Sequence, residues 1–240
     1  MEILEPRPLR PAECDFLESV LRLKPQVAAF DCDGTLWSGD AGISFFEWEI
    51  EQGVVPATVG QAMRARYAEY QAGRVSEEDI CGEMVTMHKG MSEAFLMQTA
   101  SEFMAHSFPS HVFPEMHELV RRLHEQGCQV WAVSSSNEWV IRVGMRQFDI
   151  PENRILATKA ELKRGIVTDR VVRIPSGPGK TQALREVVGR DVDAAFGNSR
   201  WDKEMLASAR YPFAINPHPD LEATARERGW SIYFPDATAK

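Results

Sequence analysis

Asp31 and Asp33 stand one residue apart in QVAAFDCDGTLWSGD, residues 26–40, where a short apolar segment runs into a turn. Residues i and i+2 of an extended chain face the same way, so both carboxylates point together at the strand's end. Like charges that close repel, and a cation or a phosphoryl reaction is chemistry that offsets the cost. Mg2+ is a hard cation that takes one or two carboxylates together with phosphate and water. An ionised Asp31 can attack phosphorus to give an aspartyl-phosphate. Asp33 can protonate the leaving oxygen and later deprotonate the attacking water. A surface Asp-Gly turn would carry the same residues.

Three further stretches end strands or open helices with polar residues. VWAVSSSNEW places Ser134 at the close of an apolar strand, with Ser135, Ser136 and Asn137 leading into a helix. A hydroxyl beside helix N-terminal amides cradles phosphate, although Ser and Asn there also serve as plain N-caps. RIPSGPGKTQAL puts Lys180 at a helix start, where the dipole disfavours a cation unless an anion lies near. It is no nucleotide-binding loop, because Ile174 stands where that motif has its first glycine. AAFGNSRWDKEML ends a strand at Gly197-Asn198. The Asn198 amide oxygen can complete a Mg2+ shell and Asp202 can orient it from behind; a loop and a helix start are the simpler reading.

The elements that must position these residues alternate. LRPAECDFLESVLRLKP reads as an amphipathic helix stopped by Pro25, and QVAAFDCD as the first strand. From about Ile43 to His111 the texture turns long and helical, with Ser and Thr starts and Gly stops, and no strand-like alternation interrupts it. Beyond FPSHVFPEM, helices alternate with the strands CQVWAVSSS, DAAFGNS, YPFAIN and SIYF, and RILATKAELKRGIVTDRVV reads as a hairpin turning at Arg164-Gly165. Such alternation predicts a mostly parallel sheet covered on both faces, with chemistry at the carboxyl ends of its strands.

Composition narrows the field. The 240 residues carry 27 basic and 35 acidic side chains, a net charge of −8 with no basic run, which speaks against nucleic acid as a partner. No stretch approaches the roughly 18 apolar residues of a membrane span, and the first residues show no signal pattern. Cys14, Cys32, Cys81 and Cys128 lack C-x-x-C spacing, which predicts reduced thiols in the cytoplasm. Cys32, between the two aspartates, is expected to face the packing. His106, His111, His117 and His124 lack zinc-ligand spacing.

Taken in order, DCDGT, AVSSS, GPGK and GNSRWD resemble the haloacid dehalogenase superfamily of Mg2+-dependent phosphohydrolases, in the branch that includes phosphoserine phosphatases, from about Val27 to Phe234. The resemblance implies an α/β fold: a doubly wound, Rossmann-like parallel sheet core (residues 1–40 and 113–240) with a helical cap inserted at 41–112. It implies a phosphatase acting on a small phosphorylated metabolite through an aspartyl-phosphate. Asp31 would be nucleophile and metal ligand, and Asp33 the acid/base, with its carbonyl on the metal. Ser134, Ser135 and Lys180 would hold the phosphoryl group. Asn198 would be the third protein ligand of Mg2+, supported by Asp202. The family most often has aspartate where Asn198 stands, and losing that charge predicts weaker Mg2+ binding.

Alternatives within this frame are transfer to an alcohol acceptor and non-catalytic binding of a phosphorylated ligand. A dehalogenase would not need Asp33. Phosphoserine-specific relatives have an acidic residue nine positions after the nucleophile, where Asp40 stands, and a cap arginine, where this chain shows Gly82, Glu83 and Met84. The acidic and aromatic residues Trp37, Asp40, Glu47, Trp48 and Glu83 would suit a cationic head group; the same aromatics would equally pack cap against core. Closure of the cap about 38–42 and 106–114 would gate turnover.

Overall fold

The computed structural model describes residues 8–107 and 111–235. Part of the expected second hinge, residues 108–110, and the outermost ends of the expected core segments, 1–7 and 236–240, lie outside the described residues. Helix α1 (Pro11–Leu21) leads into β1 (Val27–Phe30), every residue of which is buried. Four helices follow, α2 (Ala41–Glu51), α3 (Ala57–Gln71), α4 (Glu77–Thr86) and α5 (Glu93–Ser107). The alternating part then runs α6 (Pro114–Glu125), β2 (Gln129–Asn137), α7 (Glu138–Met145), β3 (Ile155–Lys163), β4 (Ile166–Arg173), α8 (Pro178–Val188), β5 (Ala194–Gly197), α9 (Lys203–Ser208), β6 (Tyr211–Ile215), α10 (Pro219–Arg228) and β7 (Ser231–Tyr233).

The seven strands form one sheet in the order β4-β3-β2-β1-β5-β6-β7, parallel except for the β3–β4 hairpin. That hairpin turns at Arg164 and Gly165, whose φ values of 55° and 75° suit the twist of a two-residue hairpin. The chain leaves β1 toward β2 and β3, then returns to the other side of β1 for β5, β6 and β7. This reversal opens a crevice at the carboxyl ends of β1 and β5.

The period of two along β1 divides the core. Ala28 and Phe30 join the cluster under α1, α6 and α7, while Val27 and Ala29 join the one under α8, α9 and α10. Phe30, Phe196 and Phe213 are register partners across β1, β5 and β6 and stack face to face, with centroids 4.1 and 4.8 Å apart. This apolar ladder lies in the core at the ends of β1 and β5. The Asp31 amide extends it by donating to the Phe196 carbonyl at 2.9 Å, which fixes the first aspartate's backbone to β5.

Helices α2 to α5 have a small core of their own in Phe46, Met63, Val75 and Ile80. Phe45, Val85, Leu96, Ala100 and Phe103 from the same helices belong to the large core cluster beneath the sheet's α7 face. The two crossings into this helical block run side by side, with Ser38 N–H on the His111 carbonyl (2.8 Å) and Phe113 N–H on the Leu36 carbonyl (3.1 Å). Two details depart from the sequence expectation. Helix α2 begins at Ala41 with Asp40 as its cap, its carboxylate accepting the Ile43 amide, so Ser44 lies inside the helix. Strand β2 runs on to Asn137, with a register shift against β3 between Val133 and Asn137, so Ser134 lies inside a strand expected to end near it.

Candidate active site

The crevice and the helical block above it enclose a cavity of about 820 Å3. Its walls include Asp31, Asp33, Lys180 and Asn198 from the core and Tyr67, Tyr70, Glu77 and Cys81 from the helices above. The ends of β1 and β5 and the start of α8 thus bring together four of the segments' key side chains.

Each aspartate is held from several sides. Asp31 Oδ1 accepts Lys180 Nζ at 2.7 Å, and its Oδ2 accepts the Thr35 hydroxyl at 3.1 Å. Asp33 Oδ1 accepts the Trp37 indole N–H (2.7 Å) and the Ala41 amide (2.6 Å), and its Oδ2 accepts the Ser136 hydroxyl (2.7 Å). Lys180, 2% exposed, also donates to Asp202 Oδ1 at 2.6 Å. Asp202 Oδ2 in turn collects the amides of Asn198 and Ser199 and the Ser199 hydroxyl. One buried lysine therefore couples the loop after β5 to the carboxylate after β1.

Burial, and then Asp202, push the Asp31 carboxyl up to about 8, against the lowering effect of Lys180. Burial also raises Asp33, opposed by its three hydrogen-bond donors. Lys180 is driven upward because Asp202 and Asp31 outweigh its burial, so it stays charged. Asp40 lies exposed at the cavity mouth, where it caps α2. The Cys32 thiol, buried in the core cluster, rises well above its ordinary value and is inert.

Three of the expected site residues do not line the cavity. Ser134 is 1% exposed, its Oγ accepts the Ser136 amide at 3.1 Å, and Ser135 and Ser136 line the cavity in its place. The cause is the continuation of β2, which carries the next two residues out to the rim. Trp37 is fully buried, and its indole N–H holds Asp33 Oδ1. Glu83 faces away from the cavity, held by Arg66 through contacts of 2.8–3.0 Å between α3 and α4. Asp40 does line the cavity. Sequence reasoning missed Thr35, Ser136 as the partner of Asp33, and Glu77. The only local signal for Glu77 was an acidic first turn after Ser76, which reads as an ordinary helix start.

The donor set suits a hard divalent cation. Asp31 supplies a carboxylate, and the Asn198 side chain lies against Gly34, with both residues on the cavity wall. The oxygens of Asp33 are all taken by donors, which leaves its main-chain carbonyl for such an ion. Among the described residues no group of three or more His, Cys, Asp or Glu could hold a metal, so such a site needs the amide and carbonyl oxygens as well.

Gly34 makes this approach possible. Its φ is +74°, and a Cβ there would fall 1.9 Å from Asn198 Nδ2. Gly34→Ala is expected to cost about 2 kcal/mol through backbone strain and the displaced amide, lowering Tm by about 6 °C in a thermal melt.

A doubly wound sheet, with paired carboxylates and a buried lysine in its switch-point crevice and helices α2 to α5 above it, is the architecture of an α/β enzyme. The chain belongs to the haloacid dehalogenase-like hydrolase family, whose model matches residues 28–207. It is 26% identical over 217 residues to a histidinol-phosphatase of Neisseria meningitidis serogroup C, covering 86% of this chain and 97% of that one. It is 26% identical over 229 residues to a phosphoserine phosphatase of Mycobacterium tuberculosis, covering 85% and 69%. Among solved structures, a protein of unknown function from Bordetella pertussis Tohama I superimposes with a TM-score of 0.75 at 22% identity, covering 86% of this chain and 97% of that one. A substrate-bound phosphoserine phosphatase superimposes with a TM-score of 0.59 at 16% identity, covering 88% and 93%. At these identities the superpositions speak for the fold alone.

Proposed function

We propose that the protein is a Mg2+-dependent phosphatase that hydrolyses a small-molecule phosphomonoester through an aspartyl-phosphate on Asp31. The observation that carries this reading is the pair of differently held aspartates, one bonded to a buried lysine and the other to three neutral donors, in a single roofed cavity. The two phosphatase relatives and the family membership support it.

Asp31 is the nucleophile: Lys180 and Thr35 fix its plane, and Lys180 offsets charge on the phosphoryl oxygens as they pass in line. Ser135 and Ser136 face the same space and orient those oxygens. Asp33, whose proton affinity burial raises, gives a proton to the departing alcohol oxygen as the P–O bond breaks. It then takes one from the water that attacks phosphorus, which releases phosphate and restores the Asp31 carboxylate. Mg2+, held by Asp31, the Asp33 carbonyl and Asn198, would neutralise phosphoryl charge and keep Asp31 ionised. Closure of the helices above would exclude bulk water and strengthen each of these interactions.

p-Nitrophenyl phosphate tests this directly. Turnover is expected with millimolar Mg2+, disappears with EDTA, and returns when Mg2+ is added in excess. Phosphate-analogue binding without turnover of any ester in a phosphomonoester panel would replace the phosphatase reading with that of a binding protein.

A further inference from the structure

The three donors that hold Asp33 are not equivalent. Two of them, the Trp37 indole N–H at 2.7 Å and the Ala41 amide at 2.6 Å, meet on Oδ1. The third, the Ser136 hydroxyl, meets Oδ2 at 2.7 Å. An N–H only donates, whereas a hydroxyl donates or accepts. Oδ1 therefore has both lone pairs engaged and no place for a proton, while a proton on Oδ2 needs only a turn of the Ser136 hydroxyl. The partner of Oδ2 lines the cavity; Trp37, on Oδ1, belongs to the core.

Trp37 is a fixed donor. Its backbone forms isolated bridges with Asp33 and with Val112, so both crossings into the helical block hold it. Gly144 of α7 leaves room for the ring: a Cβ there would fall 3.0 Å from Trp37 Cη2, and the Phe148 ring centroid lies 6.1 Å away. Burial alone does not account for the bond to Asp33. Trp131 and Trp139 are buried too, yet their indole N–H groups have no acceptor among the described residues. The indole of Trp37 is aimed at a carboxylate.

We propose that Trp37 is a positioning residue for proton transfer: it fixes Asp33 so that Oδ2, and not Oδ1, carries the proton. The proposal rests on the phosphatase reading and goes beyond it by naming the reacting oxygen and the side chain that selects it. As the bond from phosphorus to the alcohol oxygen breaks and the bond to Asp31 forms, the Oδ2 proton passes to the departing oxygen. The charge left on Asp33 is met by the two N–H donors already on Oδ1. Oδ2 then takes a proton from the attacking water as its oxygen joins phosphorus and the bond to Asp31 breaks.

Genetically encoded β-(3-benzothienyl)alanine at position 37 tests this, because it keeps the shape of tryptophan with sulfur in place of the N–H. Benzyl and p-nitrophenyl phosphate are the probes: they are similar in size, but a departing benzyl alkoxide needs a proton and p-nitrophenolate scarcely does. Their kcat/KM values cover the steps up to loss of the alcohol and so report the first transfer. The isostere is expected to lower kcat/KM about tenfold for benzyl phosphate and less than about twofold for p-nitrophenyl phosphate. Trp37→Phe should show the same bias with a lower Tm. In an Asp33→Asn background the isostere should move the ratio of the two esters no further, because Trp37 acts through Asp33. A tryptophan that only fills the core would leave the ratio unmoved, and that result overturns the proposal. A further shift in the Asp33→Asn background overturns it as well. If Asp33→Asn itself leaves the ratio unchanged, or the wild type hydrolyses neither ester, the reading of the site fails first and the proposal falls with it.

Discussion

Asp31→Asn is expected to lower kcat for p-nitrophenyl phosphate by about 10^4-fold or more, the scale seen when a nucleophile is removed from a preorganised site. An amide nitrogen cannot attack phosphorus, and the amide oxygen that remains is too weak a nucleophile to replace the carboxylate. The fold should persist. Asparagine still offers Lys180 an acceptor where Asp31 Oδ1 stood, and Lys180 keeps Asp202. Moreover, burial and Asp202 make the charged form of Asp31 costly at neutral pH. A neutral isostere removes that cost while weakening one charge-assisted bond, so the two changes oppose each other. A Tm within about 4 °C of wild type, alongside lost turnover, is the expected pair of results. Appreciable turnover in the purified variant would remove Asp31 from the role of nucleophile.

Lys180→Met should damage both stability and catalysis. Methionine fills much of the volume but leaves Asp31 and Asp202 without their shared cation in a place that is almost fully buried. Breaking a buried ion pair from one side costs about 3–5 kcal/mol, so Tm should fall by about 10 °C. Activity should drop by at least about 10^3-fold, because the transferring group loses its fixed positive partner. A second substitution separates the two effects. Adding Asp202→Asn removes one of the stranded carboxylates and should recover part of the Tm, measured by thermal denaturation, but none of the turnover. A double variant that regained activity would show Lys180 to be a structural lysine only.

Much of this site was legible before any coordinate. The i, i+2 spacing of Asp31 and Asp33, the strand ending in Gly197-Asn198 and the lysine at the start of α8 are local features, fixed by strand pleat and helix geometry within a few residues. The α/β alternation was equally clear, since β1, β5 and β6 are short apolar runs set between helical segments. Local reasoning erred where two local solutions compete. Helix α2 starts three residues before Ser44, with Asp40 as its cap, and β2, expected to close near Ser134, runs on to Asn137. In the second case pairing with β3, outside the segment itself, decided which serines reach the rim.

The sequence by itself determined the fold class, the family and the candidate residues for the chemistry, because their spacings act over one strand end or one helical turn. Tertiary structure alone decided how they are held and what surrounds them. It turned Trp37 into a support for Asp33 and gave Glu83 to Arg66. It also carried Glu77 into the cavity, against a serine 99 residues away. Such contacts depend on how the inserted helices pack across the end of the sheet, where the burial of Phe45, Val85 and Phe103 sets the geometry and no periodicity in the chain encodes the partner.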